Sequence, residues 1–267
     1  MTLDPITRAL SKRADDGGFH PCILMYHGTP RGEPSSRYSL NETSFARQLD
    51  ILSEMGWHTA RISELITLET LPPKTVFITF DDGYKDNFEY AFPHLMDRGM
   101  TATWYVVTGK VGERADWLDF KNASEAVLMN ARDLRSMLDA GMEIGSHTIS
   151  HPDLKQCEAA HLSAEVIESK RQLEDLLSHD VATFAYPFGR FSEAAVERVR
   201  EAGYRFACSV RAGFYNPEVH PLLLPRVTVF RGDSIGEFAR KLIFASNDTR
   251  WRALIQYGFA RLKDRLA

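Results

Sequence analysis

Apolar residues in this chain gather in short runs, each broken by a polar or glycine-bearing turn and followed by apolar positions at helical spacing. The most continuous run, Thr75 to Phe80 (TVFITF), is rich in β-branched and aromatic residues. Its lack of alternation predicts a strand buried on both faces, as in a parallel sheet covered by helices. Pro21 to Met25, Thr101 to Val107, Glu143 to Gly145, Val181 to Ala185, Arg205 to Val210 and Arg226 to Phe230 predict further strands. Between them, Phe45, Leu49, Leu52 and Met55 recur at helical spacing after a helix start at Asn41 and before a stop at Gly56. Phe88, Ala91, Phe92, Leu95 and Met96 mark a helix over Lys85 to Arg98, and Ala131 to Ala140, Ala159 to Leu177 and Glu193 to Ala202 predict three more. Residues 57–71 hold a short strand and helix, and residues 108–128 an excursion over the open face. Strands alternating with helices predict an α/β architecture, either a (β/α) barrel or a doubly wound sheet.

At 267 residues the chain is long enough for one such domain, expected over residues 21–232 behind a polar lead-in at 1–20. A net charge of -4 gives no electrostatic case for a nucleic-acid partner. The amino terminus lacks the apolar segment of a secretory signal, no run is long enough to span a bilayer, and three cysteines without metal-type spacing suit a reducing compartment. The expectation is a cytoplasmic protein. Residues 233–267 form a helical extension in which Trp251, Leu254, Ile255, Phe259 and Leu262 share a face flanked by arginines and lysine. That amphipathic helix packs on the domain or a second subunit, or lies on the inner face of an anionic membrane.

Chemistry collects where the strands end. Asp81 and Asp82 close the Thr75 run, at the edge where parallel α/β folds place ligands, and the bland alternative is that one caps the next helix while the other makes a turn. His27 follows the first strand in the same way. His147 and His151 have an H-x-x-x-H spacing that on a helical turn puts both imidazoles on one side. Two imidazoles and a carboxylate, here Asp82, are the protein ligands of many catalytic zinc sites with one position left for water. Successive strand residues point to opposite faces, so the aspartates divide the work unless Gly83 bends the chain: Asp82 binds metal and Asp81 takes a proton from the activated water.

The combination of TFDDGY at 79–84, SHTISHPDL at 146–154 and YPFG at 186–189, with ILMYHG, TATWYVVTG and LPRV in order, resembles the polysaccharide deacetylases, the nodulation-type carbohydrate N-deacetylase superfamily. The resemblance spans about Ile23 to Val229. It implies a deformed (β/α) barrel, a divalent metal such as zinc, and removal of acetyl groups from an N-acetylated sugar within an oligosaccharide, polysaccharide or lipid-linked glycan. By motif position it implies Asp81 as general base, Asp82, His147 and His151 as metal ligands, and the Phe188 backbone N–H as support for the oxyanion. Two departures stand out. The family's common form has an arginine where this chain has Ala185, so Arg226 either supplies that charge or makes a structural ion pair. The usual carboxyl-terminal L-x-H strand is missing, and ILMYH at 23–27 looks like the same strand moved to the front, as in circularly permuted exopolysaccharide-type members. His27 is then the expected general acid, with His220 as the alternative. Tyr186, Trp104 and Trp117 are either sugar-stacking or packing residues. The competing functions are a related amidohydrolase acting on a non-sugar amide or imide, and a catalytically silent glycan-binding protein.

Overall fold

The computed structural model describes residue 7 and residues 21–252 except 71, 73, 119–122 and 217, with backbone only at 68–70 and 123. The lead-in at 1–20, residue 7 aside, and most of the carboxyl-terminal amphipathic helix lie outside the described residues. Eight strands form one sheet among these residues: β1 (Cys22–Tyr26), β2 (His58–Ala60), β3 (Thr75–Phe80), β4 (Thr103–Val106), β5 (Glu143–Ser146), β6 (Thr183–Ala185), β7 (Phe206–Cys208) and β8 (Val227–Thr228). Every pairing is parallel, in the order β7-β6-β5-β4-β3-β1-β8, with β2 pairing the first half of β3.

The two edges of this curled sheet are joined by one segment. Leu224 bridges Cys208 of β7, and three residues later Val227 pairs Leu24 of β1. The result is the deformed (β/α) barrel. β1, first in the sequence, fits between β3 and β8, so its carboxyl end and that of β3 open on the same mouth.

The helices are α1 (Glu42–Glu54), α2 (Phe92–Met96), α3 (Ala131–Asp139), α4 (Ala159–Ser163), α5 (Ser169–Leu177), α6 (Glu193–Glu201) and α7 (Ile235–Phe244). Asn41 caps α1 by accepting from the Ser44 N–H, and Asn130 and Asp133 form a reciprocal capping box on α3. The helices predicted over 85–98 and 159–177 are each interrupted by a wide turn, at Asn87–Ala91 and Ala164–Glu168, a feature frequent near functional sites.

Strand alternation sorts the core into two layers. Leu24, Tyr26, Ile78, Phe80 and Trp104 face outward against the helices, where Trp104 stacks on Phe80 at 4.7 Å and Tyr26 packs edge-on against Phe45 of α1. Ile23, Phe77, Tyr105, Phe206, Cys208 and Leu224 fill the barrel interior. Phe238 and Leu242 of α7 join the outer layer, so the described part of the 233–267 extension packs on the domain. Truncating a fully buried member such as Phe45 to alanine costs about 3–5 kcal/mol.

Candidate active site

β3 delivers the two aspartates. Thr79 and Asp81 continue the inward face that begins at Phe77, and alternation alone would turn Asp82 outward. Asp82 instead adopts a left-handed backbone (φ 75°), as does Gly83 (φ 83°), and the bend returns its carboxylate to the barrel mouth. Both aspartates are buried, at 3% exposure each.

Arg226 comes from the segment that closes the barrel and is wholly buried. Its two terminal nitrogens donate to Asp81 Oδ1 and Oδ2 at 2.6 and 2.8 Å, with further bonds to Thr79 Oγ1 and the Ser209 carbonyl. Burial, the largest single influence, pushes the Asp81 pKa up, but the Arg226 charge and hydrogen bonds together with the nearby His147 and His27 outweigh it, and the net value lies below the usual carboxylate range. Arg226 thus holds Asp81 ionised and fixes its plane. Of the two roles open to Arg226 from sequence, the geometry unites them: it is an ion pair, and its partner is the proposed base.

His147 follows β5. Its Nδ1 lies 2.7 Å from the Ala185 carbonyl oxygen, which can only accept, so Nδ1 carries the proton. Burial pushes the His147 pKa down to about 4, so the ring is neutral at neutral pH and Nε2 presents a lone pair. That nitrogen lies 3.6 Å from Asp82 Oδ1, and His151 Nε2 lies 3.2 Å from the same oxygen. Despite this proximity Asp82 Oδ1 has no aligned hydrogen-bond partner, and it is buried. The three ligand atoms lie within 4.8 Å of one another. Convergent ligand atoms in a buried site, one of them anionic, fit a divalent cation of the kind held by two imidazoles and a carboxylate.

The histidines do not lie on the helical turn their spacing predicted. They flank a loop in which Thr148 (φ 71°) and His151 (φ 61°) are left-handed. Two causes are visible. Pro152 disfavours helical conformation at His151. The buried Glu165 carboxylate also accepts from the Ile149 and Ser150 N–H groups at 2.8 and 2.9 Å and from Ser150 Oγ at 2.6 Å, holding the loop open. Trp117 stacks on the His151 ring at 4.6 Å, and Phe188 meets it edge-on at 4.5 Å.

These groups line a cavity of about 340 Å³ that also takes in His27, Tyr38, Tyr84 and Phe230. The polysaccharide deacetylase family model matches residues 69–207, more than half of the chain. The chain belongs to the polysaccharide deacetylase family. Among its relatives is the putative polysaccharide deacetylase YxkH of Bacillus subtilis, 28% identical over 220 residues that cover 81% of this chain and 74% of YxkH. The poly-beta-1,6-N-acetyl-D-glucosamine N-deacetylase of Staphylococcus aureus is 24% identical over 72% of this chain and 68% of its own length. Among solved structures, IcaB from Ammonifex degensii superimposes with a TM-score of 0.73 at 26% identity, covering 85% of this chain and 97% of IcaB.

Within this deacetylase-family chain the structure brings Asp81, Asp82, His147, His151, His27 and Phe188 to one cavity and leaves other expected residues out. Tyr186 is not a sugar platform: it is wholly buried, its ring packed against Phe184 and Phe191. Trp104 is likewise core, stacked on Phe80. His220 lies away from the cavity, where its Nδ1 accepts from the Leu222 N–H. Phe188 takes a left-handed backbone (φ 56°), and its side chain is 45% exposed at the cavity rim. Sequence reasoning missed Tyr38, Tyr84 and Phe230. Tyr84 was within the DDGY motif; burial and the adjacent Asp82 charge push its pKa far up and keep the phenol protonated. Tyr38 ends the stretch 29–38 that follows β1, and its aromatic ring among prolines, glycine and serines was the available signal.

Proposed function

We propose that the protein is a metal-dependent carbohydrate N-deacetylase that hydrolyses the acetamido group of an N-acetylated glycan. The observation that carries this reading is the convergence of Asp82 Oδ1, His147 Nε2 and His151 Nε2 in a buried site, beside an Asp81 locked by Arg226. The nearby aromatic rim supports a sugar substrate: Tyr38 and Phe188 are 40% and 45% exposed and present apolar faces to a cavity large enough for a pyranose ring. The S. aureus relative named for poly-beta-1,6-N-acetyl-D-glucosamine makes oligomers of that sugar the first substrates to test.

A divalent cation held by Asp82, His147 and His151 would polarise the acetyl carbonyl and ease deprotonation of water. Asp81 receives the proton of the attacking water. Its ionised state is secured by Arg226, at the cost of some basicity, and its orientation is fixed by the two-pronged contact. The Phe188 N–H supports the oxyanion. His27, across the cavity, donates a proton to the departing nitrogen as the carbon–nitrogen bond breaks, yielding acetate and the free amine.

Acetate release from N-acetylglucosamine oligomers, with and without Zn2+ after chelation, tests the reading. Metal-dependent release is expected from the wild-type protein, and Asp81→Asn should bind the ion with unchanged stoichiometry while losing turnover about 100-fold or more. Near-normal turnover by that variant would remove Asp81 from the base role. Release confined to non-sugar amides or imides would move the substrate class.

A further inference from the structure

His27 has an unusual setting for a residue that must deliver a proton. Its Nδ1 is buried and has no hydrogen-bond partner among the described residues. Proton-transferring imidazoles are ordinarily oriented by a bond to the second ring nitrogen. Among the described residues the only ring packed on it is Tyr38, at 5.4 Å, which is itself 40% exposed. Something other than a ring partner must fix where His27 points.

The backbone around it is gripped instead. The Asn87 side-chain amide donates to the His27 carbonyl oxygen at 2.9 Å, and its Nδ2 also lies 3.0 Å from Thr29 Oγ1 and 2.9 Å from Asp86 Oδ1. Asp86 Oδ1 in turn accepts from the Thr29 N–H at 2.8 Å. Asn87 and Thr29 are wholly buried and Asp86 nearly so. Gly28 lies between the two anchored residues, and a side chain there would begin 2.9 Å from Ser39 Oγ and 3.2 Å from Asp86 Oδ2. The turn His27-Gly28-Thr29 is therefore pressed onto the Asp86-Asn87 pair with no space between. The pair begins only four residues after the ligand Asp82, and the wide turn Asn87–Ala91 starts at Asn87 itself. One short segment thus carries the base, a metal ligand and the grip on the acid.

We infer that Asp86 and Asn87 are positioning residues that hold the His27 turn, and through it the proton-donating imidazole, in register with Asp81 and Asp82. This rests on the deacetylase reading above. The pair touches no substrate; it acts through the backbone of His27. Loosening it should impair the step that needs the proton and spare steps that do not. An acetamide needs a proton on its nitrogen as the carbon–nitrogen bond breaks. An aryl acetate does not, because its carbon–oxygen bond breaks to release 4-nitrophenolate, a stable anion. The ratio of the two activities is a readout that general loss of structure or of metal would leave unmoved.

The test compares zinc-loaded wild type, Asn87→Leu, Thr29→Val and, as the reference for a lost acid, His27→Ala. Each is assayed on N-acetylglucosamine oligomers and on 4-nitrophenyl acetate, with zinc content measured on the same samples. Asn87→Leu should lose about 10- to 100-fold in kcat on the amide and less than about 3-fold on the ester, moving the ratio toward that of His27→Ala. Thr29→Val, which removes one anchor and keeps the Asn87 bond to His27, should shift the ratio about 3- to 10-fold. A ratio unchanged from wild type overturns the inference, whether both activities fall together or neither does. If Asn87→Leu fails to fold, the Thr29→Val ratio decides on the same terms. A wild type that releases no acetate from any glycan overturns the deacetylase reading and this role with it, whereas an active wild type with an unmoved ratio overturns the role alone.

Discussion

Replacing Arg226 by methionine tests the tightest electrostatic coupling in the site. The guanidinium is wholly buried and bonded to both oxygens of Asp81. With about 4 Å between charge centres and an effective dielectric near 20, the attraction is worth about 4 kcal/mol. Removing one member of a buried pair typically destabilises by about 3–5 kcal/mol, because the other charge is left unpaired. A typical domain has about 5–15 kcal/mol in hand, so the variant should fold at reduced temperature. The diagnostic consequence concerns protonation. Burial alone raises the Asp81 pKa and Arg226 is the leading opposing influence, so without the arginine the burial effect prevails. A base must be ionised, and the acid limb of the kcat/KM profile for acetate release should therefore move up by about 1–3 pH units, the range equivalent to about 1.4–4 kcal/mol. Arg226→Lys, which keeps the charge and loses the fork, should move it less. The assay is acetate release across pH 4–9 with zinc saturating and metal content verified. A folded Arg226→Met protein with an unmoved acid limb would refute the coupling, and unchanged stability would refute the buried-pair account.

Asp82→Asn removes the anionic member of the acceptor triad, and zinc affinity measured by calorimetry should fall by more than the roughly 10- to 100-fold seen when outer-shell partners of metal ligands are changed; undiminished affinity would place the ion elsewhere. Glu165→Ala releases three hydrogen bonds on the loop carrying His151 and should cost about 1–3 kcal/mol in urea unfolding, with a drop in zinc affinity of about 10-fold. Burial pushes the Asp86 carboxyl up to about 7. A raised folded-state pKa stabilises at acid pH and the contribution is lost as pH rises toward that value, so wild type should lose on the order of 2–3 kcal/mol relative to Asp86→Asn between pH 5 and 8. A stability difference that is flat with pH would show that Asp86 is ionised throughout.

Much of the fold and most of the site was legible because it depends on local pattern. The run TVFITF announces a strand buried on both faces, and its abrupt change to Asp81-Asp82 marks the end where chemistry collects. What escaped depends on backbone states and long-range pairings that residue spacing does not encode. The H-x-x-x-H spacing fits a helix, and nothing at 147–151 announces that Glu165, from the second turn of a later helical segment, will hold the loop open. Arg226 pairs with Asp81 across 145 residues, a contact visible only once the barrel has closed. Tyr186 and Trp104 read equally well as rim or core; closure sends both into the outer hydrophobic layer, where large rings fill the space between strands and helices.

The geometry of the site rests on backbone states that the surrounding chain over-determines. Among the described residues, Asp82, Thr148, His151 and Phe188 all have left-handed conformations that side chains with a Cβ adopt only at a cost of about 1–2 kcal/mol each. Each is over-determined by its surroundings. Asp82 is followed by Gly83, which continues the bend; Thr148 and His151 are held by Glu165 on the intervening residues and by the Thr108 and Gly109 N–H groups on the Thr148 and Ile149 carbonyls; Phe188 lies between Pro187 and a left-handed Gly189. Local strain is thus carried by hydrogen bonds and packing formed on folding. Its product is a pocket where the Asp82 carboxylate, the His147 Nε2 lone pair and the His151 ring converge. The same rigidity sets the distance from Asp82 to Asp81, and it holds the proposed base in place while Arg226 holds its plane.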